Sequence, residues 1–72
     1  MLQYVIYDHP TDYPDMFVIR EWEIAKNGSI IPKQIVFKSF DVDVVRGYLR
    51  MRGLINIGRY KNDDPKILEV WI

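Results

Sequence analysis

The residues best suited to chemistry lie in one nine-residue stretch, Tyr7-Asp8-His9-Pro10-Thr11-Asp12-Tyr13-Pro14-Asp15, which holds the only histidine, two of the four prolines and three carboxylates. Each proline fixes its own φ and pushes the residue before it toward extended geometry, so the loop is stiff. A stiff loop presents side chains to a partner at low entropic cost. His9 with Asp8 has the form of a general acid/base pair, and His9 with Asp8, Asp12 and Asp15 the outline of a metal site. Neither constellation is complete. Zinc sites use several His or Cys ligands, and this chain offers one imidazole and no cysteine. The carboxylate spacing does not match a calcium loop. Thr11, Ser29 and Ser39 stand in no recognisable nucleophile context, and the four glycines, at 28, 47, 53 and 58, form no phosphate cradle. The expectation is a non-enzymatic chain without metal or cofactor, its loop either a contact surface or a set of turn residues capping local backbone.

Two further groups are candidates for contact. Arg46, Arg50, Arg52, Arg59 and Lys61 concentrate basic charge, with Arg46 and Arg50 at i, i+4 spacing, as a phosphate-binding patch or an ordinary solvated helix face. Tyr7, Tyr13, Trp22, Tyr60 and Trp71 are more large amphipathic rings than so small a core readily hides, and such rings anchor protein interfaces. Either tryptophan alone could instead cap the edge of the core. The expected partner surface combines Asp8, His9, Asp12, Tyr13 and Asp15 of the loop with Trp22 and Trp71 on a helix-free sheet face. A protein partner is expected, with self-association as a further option through an unpaired edge strand at 1–7 or 34–38.

The chain must position these groups with 72 residues, near the lower limit for a self-sufficient core, and so as a single domain, 1–72. Hydrophobic residues at 49% favour a folded globule over a disordered tail. Zero net charge argues against a dedicated nucleic-acid binder. The charge is nonetheless divided: residues 1–25 carry five carboxylates against one arginine, a net of −4, and residues 26–72 carry nine Lys or Arg against five carboxylates, a net of +4. The halves either neutralise one another or steer a charged partner. With no leader-like start and no long apolar run, a soluble, cytoplasmic protein without membrane contact is expected.

Period-two runs predict strands at 3–7, 16–25, 34–38, 54–60 and 67–72. Phe17 and Ile19 on one face, with Val18 and Trp22 on the other, suggest that the second strand is buried on both sides in its first half. Asn27-Gly28 predicts a hairpin, with the loop running on through Pro32. One helix is predicted over 42–52: Asp41 as N-cap, Phe40 stapled over Val45, an apolar stripe of Val44, Val45, Tyr48 and Leu49, and Gly53 at the left-handed C′ position with Leu54 against Leu49. Gly47 mid-helix either lets the helix approach the sheet closely or is neutral. Residues 61–66 are turn chemistry. The order β-β-β-α-β-β defines a small α+β fold, a mostly antiparallel sheet with one helix on one face.

Two segments, Tyr-Asp-His-Pro-x-Asp-Tyr-Pro-x-x-Phe-Val-x-Arg-x-Trp at 7–22 and Asp-Pro-Lys-Ile-Leu-Glu-Val-Trp-Ile at 64–72, resemble a group of short bacterial and phage-borne proteins to which no activity is attached. The resemblance implies a bacterial or mobile-element origin and brings no catalytic residues with it. It directs attention to the proline loop, Arg20, Trp22, Glu69 and Trp71. Two functional expectations result: a small protein-protein interaction module, or a mobile-element inhibitor or accessory protein whose acidic surface engages a basic, nucleic-acid-binding target.

Overall fold

The β-branched and aromatic run that begins the chain becomes the centre of the sheet. In the computed structural model, which describes residues 1–59 and 64–72, the elements are β1 (Leu2–Asp8), β2 (Phe17–Ile24), β3 (Ile30–Ser39), α1 (Val42–Met51), β4 (Asn56–Gly58) and β5 (Ile67–Trp71). They form one five-stranded sheet in the order β3-β2-β1-β5-β4, antiparallel at every junction. With α1 on one face this is the small α+β architecture expected. The edges are β3 and β4. Strand β1 pairs with β2 on one side and with β5 on the other, so the expectation of an open edge at 1–7 is corrected. The chain terminus pairs across the whole sequence, a contact that local pattern does not encode.

The β2–β3 connection is tighter than expected. Gly28 at φ +87° supplies the left-handed residue, its N–H donates to the Ala25 carbonyl at 2.9 Å, and Ala25 N–H donates to the Ser29 carbonyl at 2.8 Å. The loop therefore ends before Ile30, and Pro32 lies inside β3, opposite Trp22. An edge strand tolerates proline because it has no outer neighbour requiring the missing N–H. Strand β4 is shorter than predicted, and Tyr60 and the first half of the predicted turn, 61–63, lie outside the described residues.

The helix follows its local signals. The Asp41 side chain accepts from Asp43 N–H at 2.9 Å. At the other end Gly53 has φ +78°, Gly53 N–H donates to the Arg50 carbonyl at 2.9 Å, and Leu54 N–H donates to the Leu49 carbonyl at 3.2 Å. These are the paired bonds of a Schellman stop. Phe40, however, is 73% exposed and forms no staple over Val45, and Val44 is 48% exposed, outside the buried stripe. Gly47 faces open space: among the described residues nothing beyond its own helix backbone and chain neighbours lies within 4 Å of the position a Cβ would take, so close approach to the sheet does not explain it.

The two sheet faces are buried by different means. Under the helix, Ile6, Ile19 and Trp71 pack with Val45 and Leu49, flanked by Tyr4, Phe17, Val36, Phe37, Tyr48, Leu54 and Leu68. Phe37 and Tyr48 stack at 4.5 Å between ring centroids. Val18 and Ile19 are both buried, on opposite faces of β2, as expected for a strand covered on both sides there. Val5, Val18 and Val70 are buried on the face away from the helix, where Tyr7 stands opposite Val18 and Val5 lies between Arg20 and Val70. No helix among the described residues is long and apolar enough to cross a membrane. Leu49→Ala is expected to cost about 2–5 kcal/mol, the transfer loss plus an unfilled cavity, read as a lowered denaturation midpoint with unchanged slope.

Candidate functional site

The proline loop is built by two consecutive turns hung from a pinned base. Asp8 N–H donates to the Lys66 carbonyl at 2.7 Å, His9 N–H to the Met16 carbonyl at 3.0 Å, Tyr13 N–H to the Pro10 carbonyl at 3.0 Å and Met16 N–H to the Tyr13 carbonyl at 3.2 Å. His9 has φ +51°, an uncommon left-handed setting for a residue with a side chain, and it turns the chain out of β1. Lys66 Nζ donates to the His9 carbonyl at 3.1 Å and ties the loop to the start of β5. Pro10 is thereby buried against the helix-free face. A cavity of about 140 Å³ remains between loop and sheet, lined by Tyr7, Pro10, Asp12, Val18 and Arg20.

The predicted site residues separate on this frame. Asp8 and His9 are exposed neighbours, paired through Oδ1 and Nδ1, and the imidazole meets the Phe17 ring edge-on at 5.0 Å. Asp12 faces Arg20 across the cavity, Oδ2 to Nη2 at 3.6 Å. Tyr13 is half-buried with Lys38 Nζ 4.4 Å above its ring, and Asp15 is exposed. Trp22 stands on the same face as Arg20, two residues along β2, with its indole N–H buried and unpaired. Asp12 and Tyr13 thus share the helix-free side of the sheet with Trp22, whereas Asp8 and His9 sit at the end of β1 beside Phe17, whose ring packs under the helix.

Trp71 does not. It is 2% exposed and sits beneath the helix with Val45 and Leu49, so its assignment to the helix-free contact face is corrected. Alternation along β5 separates Trp71 from Val70, but only the helix decides which of the two faces it covers. The arginines of the expected basic patch each have contacts within the chain. Arg46 turns under the helix to Glu69, while Arg52 lies over the Tyr48 ring at 4.4 Å and Arg50 at 5.9 Å from that of Trp71. Arg59 donates to the Asp64 carbonyl at 3.3 Å, and Lys61 lies outside the described residues. Among the described residues no three His, Asp or Glu side chains converge as metal ligands.

Glu69 is the polar residue whose importance residue types alone did not show. It is 6% exposed, and its carboxylate accepts from Arg46 Nε at 2.7 Å, from Arg46 Nη2 at 3.5 Å and from Asn56 Nδ2 at 2.7 Å. Burial is the largest influence and opposes ionisation. The Arg46 and Asn56 hydrogen bonds and the Arg46 charge together outweigh it and hold the carboxyl below its usual range. The Trp71 indole N–H adds a weak attraction without closing a hydrogen bond. The available signal was a single carboxylate set between Ile67 and Trp71 on an otherwise apolar face. On the same side, an open cleft of about 390 Å³ is lined by Tyr4, Glu21, Gln34, Ile35, Val36, Tyr48 and Arg52. Burial and a hydrogen bond to Glu21 raise the Tyr4 hydroxyl above its ordinary pKa, so it stays protonated.

Comparison with protein-family models, curated proteins and solved structures finds no match for this chain. The site must be read from its own geometry.

Because the Glu69 pKa is lowered on folding, its contribution is fully present above the unfolded value of about 4.3 and is lost as pH falls through the folded value. Glu69→Gln should therefore flatten the acid limb of a melting-temperature profile between pH 6 and 2. Arg46→Ala, which leaves the buried carboxylate short of its cation, should cost about 3–5 kcal/mol at neutral pH. An acid limb unchanged in Glu69→Gln would show that other carboxylates govern it.

Proposed function

We propose that this chain is a non-enzymatic protein-binding module whose contact surface is the helix-free face, with Trp22 as anchor and the 8–15 loop as rim. The supporting observation is Trp22: a half-buried indole on the helix-free side of the sheet, on the same strand face as Arg20, which the 8–15 loop reaches through Asp12. A partner surface that covers the exposed part of that ring would add apolar burial at an amphipathic anchor. Asp12, Tyr13 and Asp15 stand ready as rim contacts. A bacterial cytoplasmic setting is included in the proposal and rests on the sequence resemblance of 7–22 and 64–72 alone.

The alternative, an acidic surface engaging a basic target, has less support from the geometry. Arg20 faces Asp12, Lys38 covers Tyr13 and Lys66 reaches the His9 carbonyl, so cations flank the loop's carboxylates.

Affinity capture from a bacterial lysate, comparing wild type with Trp22→Ala and Tyr13→Ala variants shown by NMR to be folded, tests the reading. One partner should be retained by wild type in high salt and weakened at least about 30-fold by Trp22→Ala, the loss of a hot spot worth about 2 kcal/mol. Capture that survives both substitutions would remove the helix-free face as the contact surface. Capture shed by salt and by Asp12→Asn or Asp15→Asn would instead favour the acidic-surface reading.

A further inference from the structure

The outer side of α1 carries a pattern that the monomer leaves largely exposed. Gly47 costs about 1 kcal/mol relative to alanine in a helix interior, and no neighbour among the described residues requires its small size. It points away from the core, opposite Val45 and Leu49. At about 100° per residue, Val44 and Met51 fall on one side of the Gly47 meridian, and Asp43 and Arg50 on the other. Val44 is 48% exposed and Met51 92%, the latter the most exposed large apolar side chain described. Asp43 remains 85% exposed despite lying 3.9 Å from Arg46, and Arg50 is exposed although its guanidinium lies 5.9 Å from the Trp71 ring centroid. The helix therefore presents a glycine seam bordered by an apolar flank and an ionic flank.

We infer that this face pairs with a second copy of the chain, two α1 helices crossing antiparallel at Gly47 about a twofold axis. The pattern is self-complementary in this arrangement. Val44 lies three residues before Gly47 and Met51 four after it, so the axis sets Val44 beside the partner's Met51 to within about one 1.5 Å rise. Asp43 lies four before and Arg50 three after, so the same operation sets Asp43 beside the partner's Arg50. Both pairings occur twice, as an isologous interface requires. A parallel pair would instead set the apolar flank against the ionic one. Glycine at the crossing allows the backbones to approach, which gives its position a physical reason. One helix face per copy is small beside a standard interface of about 1,600 Å², so the association is weak and concentration-dependent.

Sedimentation equilibrium of the full chain, carried up to millimolar concentration, provides the test, with circular dichroism confirming the fold of each variant. Wild type should pass from monomer to dimer. Asp43→Lys and Arg50→Glu should each lower the association constant at least tenfold, because each places like charges together twice. An equimolar mixture of the two should restore it, because every cross-pair is then opposite in sign. Met51→Lys, at a position the fold barely contacts, should abolish the dimer, and Trp22→Ala should leave it unchanged. A monomer at every concentration would overturn the inference. So would a dimer indifferent to both charge variants, or a mixture that fails to recover.

Discussion

A single carboxylate, that of Glu69, joins the elements that would otherwise have least reason to stay together. Removing a charge from water costs several kcal/mol, and the cost is met here only because Arg46 comes from the helix and Asn56 from the edge strand to the same two oxygens. Strand β4 is three residues long and is paired on one side only, so its ladder bonds are few. Asn56 gives it a side-chain anchor, and Arg46 fixes the rotation of α1 above Trp71. Misplacing any of the three would leave a buried charge or amide unsatisfied, which is a steeper penalty than a lost apolar contact. Glu69 therefore contributes specificity of arrangement as much as stability.

Once the helix is fixed on that side, the other face must be closed by something else. The chain does so with the loop between β1 and β2, which lays Pro10 over Tyr7 and Val18. A domain of 72 residues without cysteine has no covalent means of compensating for an uncovered sheet. The loop is thus part of the second core and part of the surface at once. That dual duty accounts for its double proline lock and its ties to Lys66 and Arg20, since a loose loop would expose Val18 as well as displace the rim.

What the sequence makes legible follows the range of the interaction responsible. Asp41 and Gly53 act within a turn of themselves, and the helix ends where they say. Asn27-Gly28 marks its hairpin for the same reason, and period two identifies the strands. Strand order depends on β1 meeting β5 some sixty residues on, and no local signal carries that. The face taken by Trp71 depended on where the helix would settle, so alternation divided β5 into two sides without naming the inner one. Arg46 and Glu69 are 23 residues apart, and each alone looks like an ordinary charged residue. Of the candidate site, the loop and Trp22 could be gathered in advance because both flank the same short stretch of β2, whereas the dispersal of the arginines could not.

Strand β3 is the longest in the sheet, and its outer backbone has no paired strand among the described residues. Ten residues of open edge would ordinarily invite end-to-end growth of sheets. Pro32 removes one donor from the row, and Lys33 and Lys38 add charge along the same edge, two features that oppose pairing with a further strand. The same residues that look unremarkable as a solvated edge act as a terminator. For a chain that is nearly half apolar, an edge carrying proline and lysine is a poorer template for strand addition than its length alone would suggest.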